Sequence, residues 1–388
     1  MMAKHKYLIL AAVYANFIVL GMADGALGVA WPYVRESMGQ PLGQAGIVMI
    51  VGAFFYALAS SRLGRLAKYM SLEKLDFIGT AVLALGFLCK AFAPNFTVFA
   101  LMSVLTGTGM GLIDSSLNSL MVKSFSARHL NWLHCFWGLG ASASPIIMTQ
   151  MILAFTWRAG YASIAAVQGT VAFIVLFIIL KGAFKSVEKN QEEALRSSCG
   201  RQYLTKKRHI VIAVAGFFLY SGIEHSIGFW ISSILLESRG MLLEAVGMYP
   251  AVYFASIAGG RMVFGFLANK FSISAIIRFG FSLAFAGIAI LYLSGSILGM
   301  ALTGLGFAPI FPCFMHSTSS RFGPKILTRL VGYQIAAAGA GVAGLSPMIG
   351  QVLDRVSLEA LFPIAMAMAA AGLLMNEVLE RNVRKANR

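Results

Sequence analysis

Twelve long apolar stretches fill most of this 388-residue chain, at about 7–31, 44–66, 72–92, 97–122, 130–154 and 159–181, then 208–236, 244–268, 273–293, 295–318, 328–350 and 358–379. Each is near the length of about 20 residues that crosses a bilayer. Hydrocarbon offers no water to backbone N–H and C=O groups, so a spanning segment of this kind must be a helix. Charged residues make up only 12% of the chain, about half the share usual in soluble domains. The expectation is an all-α, multi-pass membrane protein with twelve transmembrane helices.

Two features could point elsewhere. Lys4 and Lys6 precede an apolar run, as in a signal peptide. That run contains Asp24, lacks a convincing cleavage site and is followed by many more spans, so it reads as the first membrane helix. The net charge of +16 suggests no nucleic-acid partner, because the Lys and Arg residues lie in short loops between apolar spans, facing anionic lipid.

Those charges set the topology. Arg62, Arg65, Lys68 and Lys74 flank one loop, and Lys123 and Arg128 another. Arg196, Arg201, Lys206, Lys207 and Arg208 crowd the polar segment Gly182–Lys207. Lys270, Arg278, Arg321, Lys325 and Arg329 follow, and Arg381, Arg384, Lys385 and Arg388 close the series. With twelve spans all of these fall on one side, which the positive-inside rule makes cytoplasmic. Both termini are then cytoplasmic, and the setting is a cell (inner) membrane.

Leu105-Thr106-Gly107-Thr108-Gly109 returns as Leu302-Thr303-Gly304-Leu305-Gly306, 197 residues later (302 − 105). Gly138-Leu139-Gly140 leading to Pro145 is echoed by Gly339-Ala340-Gly341 leading to Pro347. A repeat at half the chain length implies two pseudo-symmetric six-helix bundles, residues 1–181 and 208–388, joined by a cytoplasmic connector at 182–207. Transporters built from such repeats hold their solute between the halves near mid-membrane.

Ionisable groups inside a membrane are costly and mark function by default. The fourth span carries Asp114 with Asn118 one turn on, on the face that also holds Gly107 and Gly111. Gly107, Gly109 and Gly111 permit a close helix neighbour. Asp24 lies in the first span with Asn16 eight residues before it, an interval that puts the two on one face. In the seventh, Tyr220 and Glu224 share a face and His225 is adjacent. The fifth span supplies His134, which titrates near physiological pH, and Trp137, which could stack on a ring. Gln334 is a further hydrogen-bonding candidate. For each there is also a plainer role, as a helix–helix hydrogen bond, a packing residue or a hydrated group near a membrane face.

Enzyme chemistry has no footing. GxxxxGK followed by Ser or Thr, HExxH and GxSxG are all missing, and the four cysteines show no metal or disulfide spacing. No cofactor or metal is expected.

Several stretches resemble the major facilitator superfamily, and within it the fucose–glucose–galactose/proton symporter group. They are Leu219-Tyr220-Ser221-Gly222-Ile223-Glu224, Leu130-Asn131-Trp132-Leu133-His134 with Phe136-Trp137-Gly138-Leu139-Gly140, Gly304-Leu305-Gly306-Phe307-Ala308-Pro309-Ile310-Phe311-Pro312, and Gly344-Leu345-Ser346-Pro347 leading to Gly350 and Asp354. The resemblance implies the major facilitator fold, alternating access and sugar import coupled to protons. By span, Asp24 and Asp114 match the group's coupling carboxylates. There are departures. Ser103 stands where many members carry Arg, and the loop motif after the second span is reduced to Ser61-Arg62-Leu63-Gly64-Arg65. Pro145 is followed by Ile146-Ile147-Met148 rather than the Gly-Pro-x-x-Gly-Gly pattern of drug antiporters.

The expectation is a monomeric transporter whose partners are a small-molecule solute, the proton and the lipid bilayer. Asp24 and Asp114 would carry the proton. Asn16, Asn118, His134, Trp137, Tyr220, Glu224, His225 and Gln334 would meet the solute. The rivals are an exporter or exchanger of amphipathic molecules, for which 20 methionines and 29 phenylalanines would give a plastic cavity, and a non-transporting receptor with a transporter fold.

Overall fold

A computed structural model describes residues 2–125, 127–182, 204, 206–267, 270–322 and 324–386, and most of the connector expected at 182–207 lies outside them. The described chain is helical, in the order α1 (Met2–Ser37), α2 (Ala45–Leu66), α3 (Leu72–Ala91), α4 (Phe96–Leu101), α5 (Ser103–Ser124), α6 (Ala127–Ala154) and α7 (Trp157–Leu180). After the connector come α8 (Lys207–Ser233), α9 (Leu243–Val246), α10 (Met248–Leu267), α11 (Ile273–Ser294), α12 (Ile297–Phe307), α13 (Ile310–Arg321), α14 (Pro324–Arg355) and α15 (Leu361–Ala386). Three passes are each made of two segments: α4 with α5, α9 with α10, and α12 with α13. Twelve passes result.

Among the described residues, ten stretches are long and apolar enough to cross a membrane. The other two passes are α3, which carries Lys74, Asp76 and Lys90, and α10, which carries Arg261. The tenth pass is interrupted at Ala308 and Pro309. Proline lacks the N–H that would continue the helix ladder, and its ring clashes with the preceding turn. At several other ends a side chain caps the helix: Asn95 accepts from Val98 N–H, Thr156 from Ala159 N–H and Ser272 from Ala275 N–H.

The internal repeat governs packing as well as sequence. In the first half α1 packs on α6, α2 and α3 on α5, and α3 on α7; in the second α8 packs on α14, α10 and α11 on α12, and α11 on α15. Glycines mark the same crossings. A Cβ at Gly140 would collide with the Ile18 carbonyl of α1, and one at Gly341 with the Phe218 carbonyl of α8. Gly107 abuts Gly52 as Gly304 abuts Tyr253, and Gly109 abuts Gly79 as Gly306 abuts Gly280. Lipid tails are as apolar as the side chains, so close backbone approach, rather than apolar burial, holds such helices together. The glycines of the fourth pass divide between two partners, Gly107 and Gly111 facing α2 and Gly109 facing α3.

Large apolar side chains remain on the outer surface, among them Phe173, Phe177 and Leu180 of α7 and Leu374 of α15. In water these would be a liability. Around a membrane bundle they are the lipid-facing surface.

Candidate functional site between the halves

The two bundles meet along a seam formed by α1, α2 and α6 on one side and α8, α10 and α14 on the other. An even number of passes puts both termini at one end of the molecule. At the opposite end the seam is tied shut. Arg35 of α1 pairs with Glu237 just beyond α8, Leu42 N–H donates to Asp354 Oδ1 at 3.2 Å, and Gln351 Nε2 donates to the Gly43 carbonyl at 3.2 Å. Two repeat-related contacts reinforce it. Gly46 lies against Pro347 and Gly247 against Thr149, with the two glycines 201 residues apart (247 − 46).

The seam departs from symmetry deeper in. Gly138 of α6 still touches Ala258 of α10, whereas Gly339, its counterpart on α14, meets nothing within 4 Å. Thus α14 is less closely approached around Gly339 than α6 is around Gly138.

At mid-seam, charged and aromatic groups from both halves form one connected set. Trp137 Nε1 of α6 donates to Asp24 Oδ2 of α1 at 2.8 Å. The Arg261 guanidinium of α10 lies 5.7 Å from the Trp137 ring centre, within cation–π range. Arg261 Nη2 in turn reaches Glu224 Oε1 of α8 at 3.2 Å, and Tyr253 donates to the Glu224 backbone carbonyl at 2.9 Å. Trp137 also meets Phe254 edge-on, with ring centres 6.1 Å apart. One tryptophan therefore joins an acid of the first half to a cation of the second.

Asp114 is held separately, on α5. Tyr56 of α2 donates to its Oδ2 at 2.5 Å, and Asn118 Nδ2 donates to its Oδ1 at 2.9 Å and to its backbone carbonyl at 2.8 Å. Asp114 is within coulombic reach of Asp24. Asp24 and Asp114 share a chemical setting: their hydrogen-bond donors are neutral, so neither is locked as an ion by a cationic partner.

The structure does not gather every expected residue here. Asn16 turns into the first bundle, donating to Asp76 Oδ2 at 2.6 Å and accepting from Thr80 at 2.9 Å. It is fully buried and does not share the Asp24 site, because eight residues along a helix of 3.6 per turn leave the two about 80° apart. Gln334 is equally buried and exchanges hydrogen bonds with Thr318 of α13, inside the second bundle. Asn118 spends its donor on Asp114 and so positions that acid. Tyr220 is buried behind Glu224, and its hydroxyl donates to the Phe307 carbonyl at 3.1 Å. His225 is half-buried beside Phe229, which packs on Gly28 of α1, so it stands at the α1–α8 seam. His134 is exposed, edge-on to Phe17, one turn from Trp137 toward the end that bears the termini.

Two central residues were not among those expected, Arg261 and Tyr56. Arg261 had a signal, a lone guanidinium inside the apolar run from Ala251 to Leu267. Tyr56 had none, since a tyrosine in a membrane helix is unremarkable until its partner is known.

A twelve-pass bundle of two related halves, closed at one end and charged at mid-seam, defines a membrane transporter rather than an enzyme. The chain matches the Major Facilitator Superfamily over residues 13–341 and belongs to it. It is 26% identical to a glucose/galactose transporter of Brucella abortus biovar 1 over 342 residues, covering 77% of this chain and 80% of that one. A hexuronate transporter of Bacillus subtilis is 21% identical over 322 residues, covering 78% and 74%. A crystal structure of a mutant of the nucleoside transporter NupG superposes with a TM-score of 0.74 at 11% identity, covering 97% of this chain and 99% of that one. That likeness is one of fold.

Proposed function

We propose that this protein is a proton-coupled symporter that carries a small polar solute, with a sugar as the favoured class, by alternating access. The observation that carries the reading is the Trp137 bridge between Asp24 and Arg261. Asp24, whose hydrogen-bond donor is neutral, and the Arg261 cation lie on opposite halves of the seam, so a solute bound between them would feel both. The relatives named for glucose and galactose, and for hexuronate, support a sugar-like solute.

In this reading Asp24 and Asp114 take up the proton, and Trp137, Glu224, His225 and His134 face the solute. Residues 1–181 and 208–388 rock against each other about the seam, linked by 182–207. Breaking the Arg35–Glu237 pair and the Leu42–Asp354 bond opens the far end, while α2 and α14 close together at the end that bears the termini. The basic loops orient the termini toward the cytoplasm of a monomer in the cell membrane.

The test is uptake of labelled glucose, galactose and glucuronate into proteoliposomes with and without an inward proton gradient. Gradient-driven accumulation of any one supports the reading. Flux of all three unaffected by the gradient, or no flux of any, contradicts it.

A further inference from the structure

Arg261 is an unusual investment for a membrane helix. A guanidinium at the centre of a bilayer is costly to place there, and such groups normally have their donors fully engaged. This one does not. It has five N–H donors, yet its ion pair with Glu224 rests on a single contact at 3.2 Å, Tyr220 is its other hydrogen-bonding neighbour, and its Nε is buried with no partner among the described residues. The side chain is still 20% exposed, at the seam where the two halves face each other. The Arg239–Glu359 pair, by contrast, is bidentate, with Nε and Nη2 donating to the two carboxylate oxygens at 2.9 and 2.7 Å. Arg261 is left with spare donors, next to an indole face, at the seam between the two halves.

We propose that the solute carries a carboxylate and that Arg261 binds it, with Trp137 as the wall on which the body of the solute lies. This rests on the transport reading and narrows it from a polar solute to an acid such as a sugar acid. A carboxylate matches the planar donor edge of a guanidinium in a way that a hydroxyl does not. A lysine would present only a point charge.

The charges around Arg261 set the pH response. On α8 it faces Glu224 and Tyr220, on α10 Tyr253, on α6 Cys135, His134 and Trp137, and on α1 Asp24 lies across the indole. An incoming carboxylate adds negative charge beside Glu224 and Asp24. Protonating either acid removes that repulsion, so the acid solute binds more tightly as pH falls. Bound acid and bound proton then travel together with no net charge moved.

The experiment uses the full chain in detergent and matched probe pairs, glucuronate with glucose and galacturonate with galactose. Binding is followed by melting temperature and by tryptophan fluorescence, at an acidic and an alkaline pH. The expected result is binding of the uronates, stronger at acidic pH, with the neutral partners bound at least about 30-fold more weakly, the worth of one charge-assisted pair of about 2 kcal/mol. Arg261→Gln should abolish that preference, and Arg261→Lys should keep only part of it. If Arg261→Gln strands Glu224 and does not fold, the double variant with Glu224→Gln leaves a neutral, hydrogen-bonding pair for the same comparison. Equal binding of both members of each pair, binding of neither, or a preference that survives Arg261→Gln overturns the proposal. Counterflow of the same four probes in proteoliposomes separates the two claims. Transport of a neutral sugar untouched by Arg261→Gln removes this inference and leaves the transport reading. Uronate binding without flux does the reverse.

Discussion

The Tyr56 hydroxyl donates to Asp114 Oδ2 at 2.5 Å and so ties α2 to α5 at the level of the seam. α2 is also the helix whose far-end neighbours Gly43 and Gly46 touch α14. In the proposed mechanism, a proton taken up by Asp114 would change a bond made by an element that closes the far end. That is a physical route from protonation to gating.

Tyr56→Phe removes this bond and nothing else of size. A hydrogen bond to a charged group is worth about 1.5–3 kcal/mol. The variant should melt at a lower temperature, and its uptake should depend less steeply on pH than that of the wild type. Unchanged uptake across the pH range would dissociate Tyr56 from coupling.

The far-end lock makes a second prediction. The side chains of Arg35 and Glu237 are 25% and 23% exposed, so their pair contributes only about 0.2–1 kcal/mol after solvent screening. Glu237→Gln alone should shift the balance toward the far-open state no more than about fivefold. Adding Asp354→Asn, which weakens the bond to Leu42 N–H, should shift it further. Distances between spin labels at Glu36 and Leu242 would report both steps.

Repeat-related glycines offer a stability contrast. Gly140→Ala and Gly341→Ala each force a methyl into a carbonyl of the paired helix, which should cost about 1–3 kcal/mol. Gly339→Ala and Gly344→Ala enter open space and should leave the melting temperature nearly unchanged. Equal effects at all four positions would contradict the packing described for α6 and α14.

Much of the fold was legible in the sequence because a bilayer permits so few solutions. The apolar runs gave the passes, and the Leu-Thr-Gly-x-Gly repeat identified α5 and α12 as counterparts with matching neighbours. Less of the site could be read. Spacing along a helix says which residues share a face, but not which neighbour that face meets. Asn16 and Asp24 were paired by an eight-residue interval, yet Asn16 faces α3 and Asp24 faces α6. Asp114 and Asn118 do meet, because four residues is about one turn, whereas Tyr220, one turn from Glu224, gives its hydroxyl to the Phe307 carbonyl. Arg261 and Tyr56 belong to the site through contacts between helices, and nothing local in a single sequence records those.

Proton-driven uptake by Asp114→Asn is the measurement that bears most directly on coupling. Asn keeps the size of the side chain and can still hydrogen-bond with Tyr56 and Asn118, so the fold should survive. The variant should retain solute counterflow across proteoliposomes but lose accumulation driven by a proton gradient. Accumulation that persists with the pH dependence of the wild type would show that Asp114 does not couple the proton to the solute.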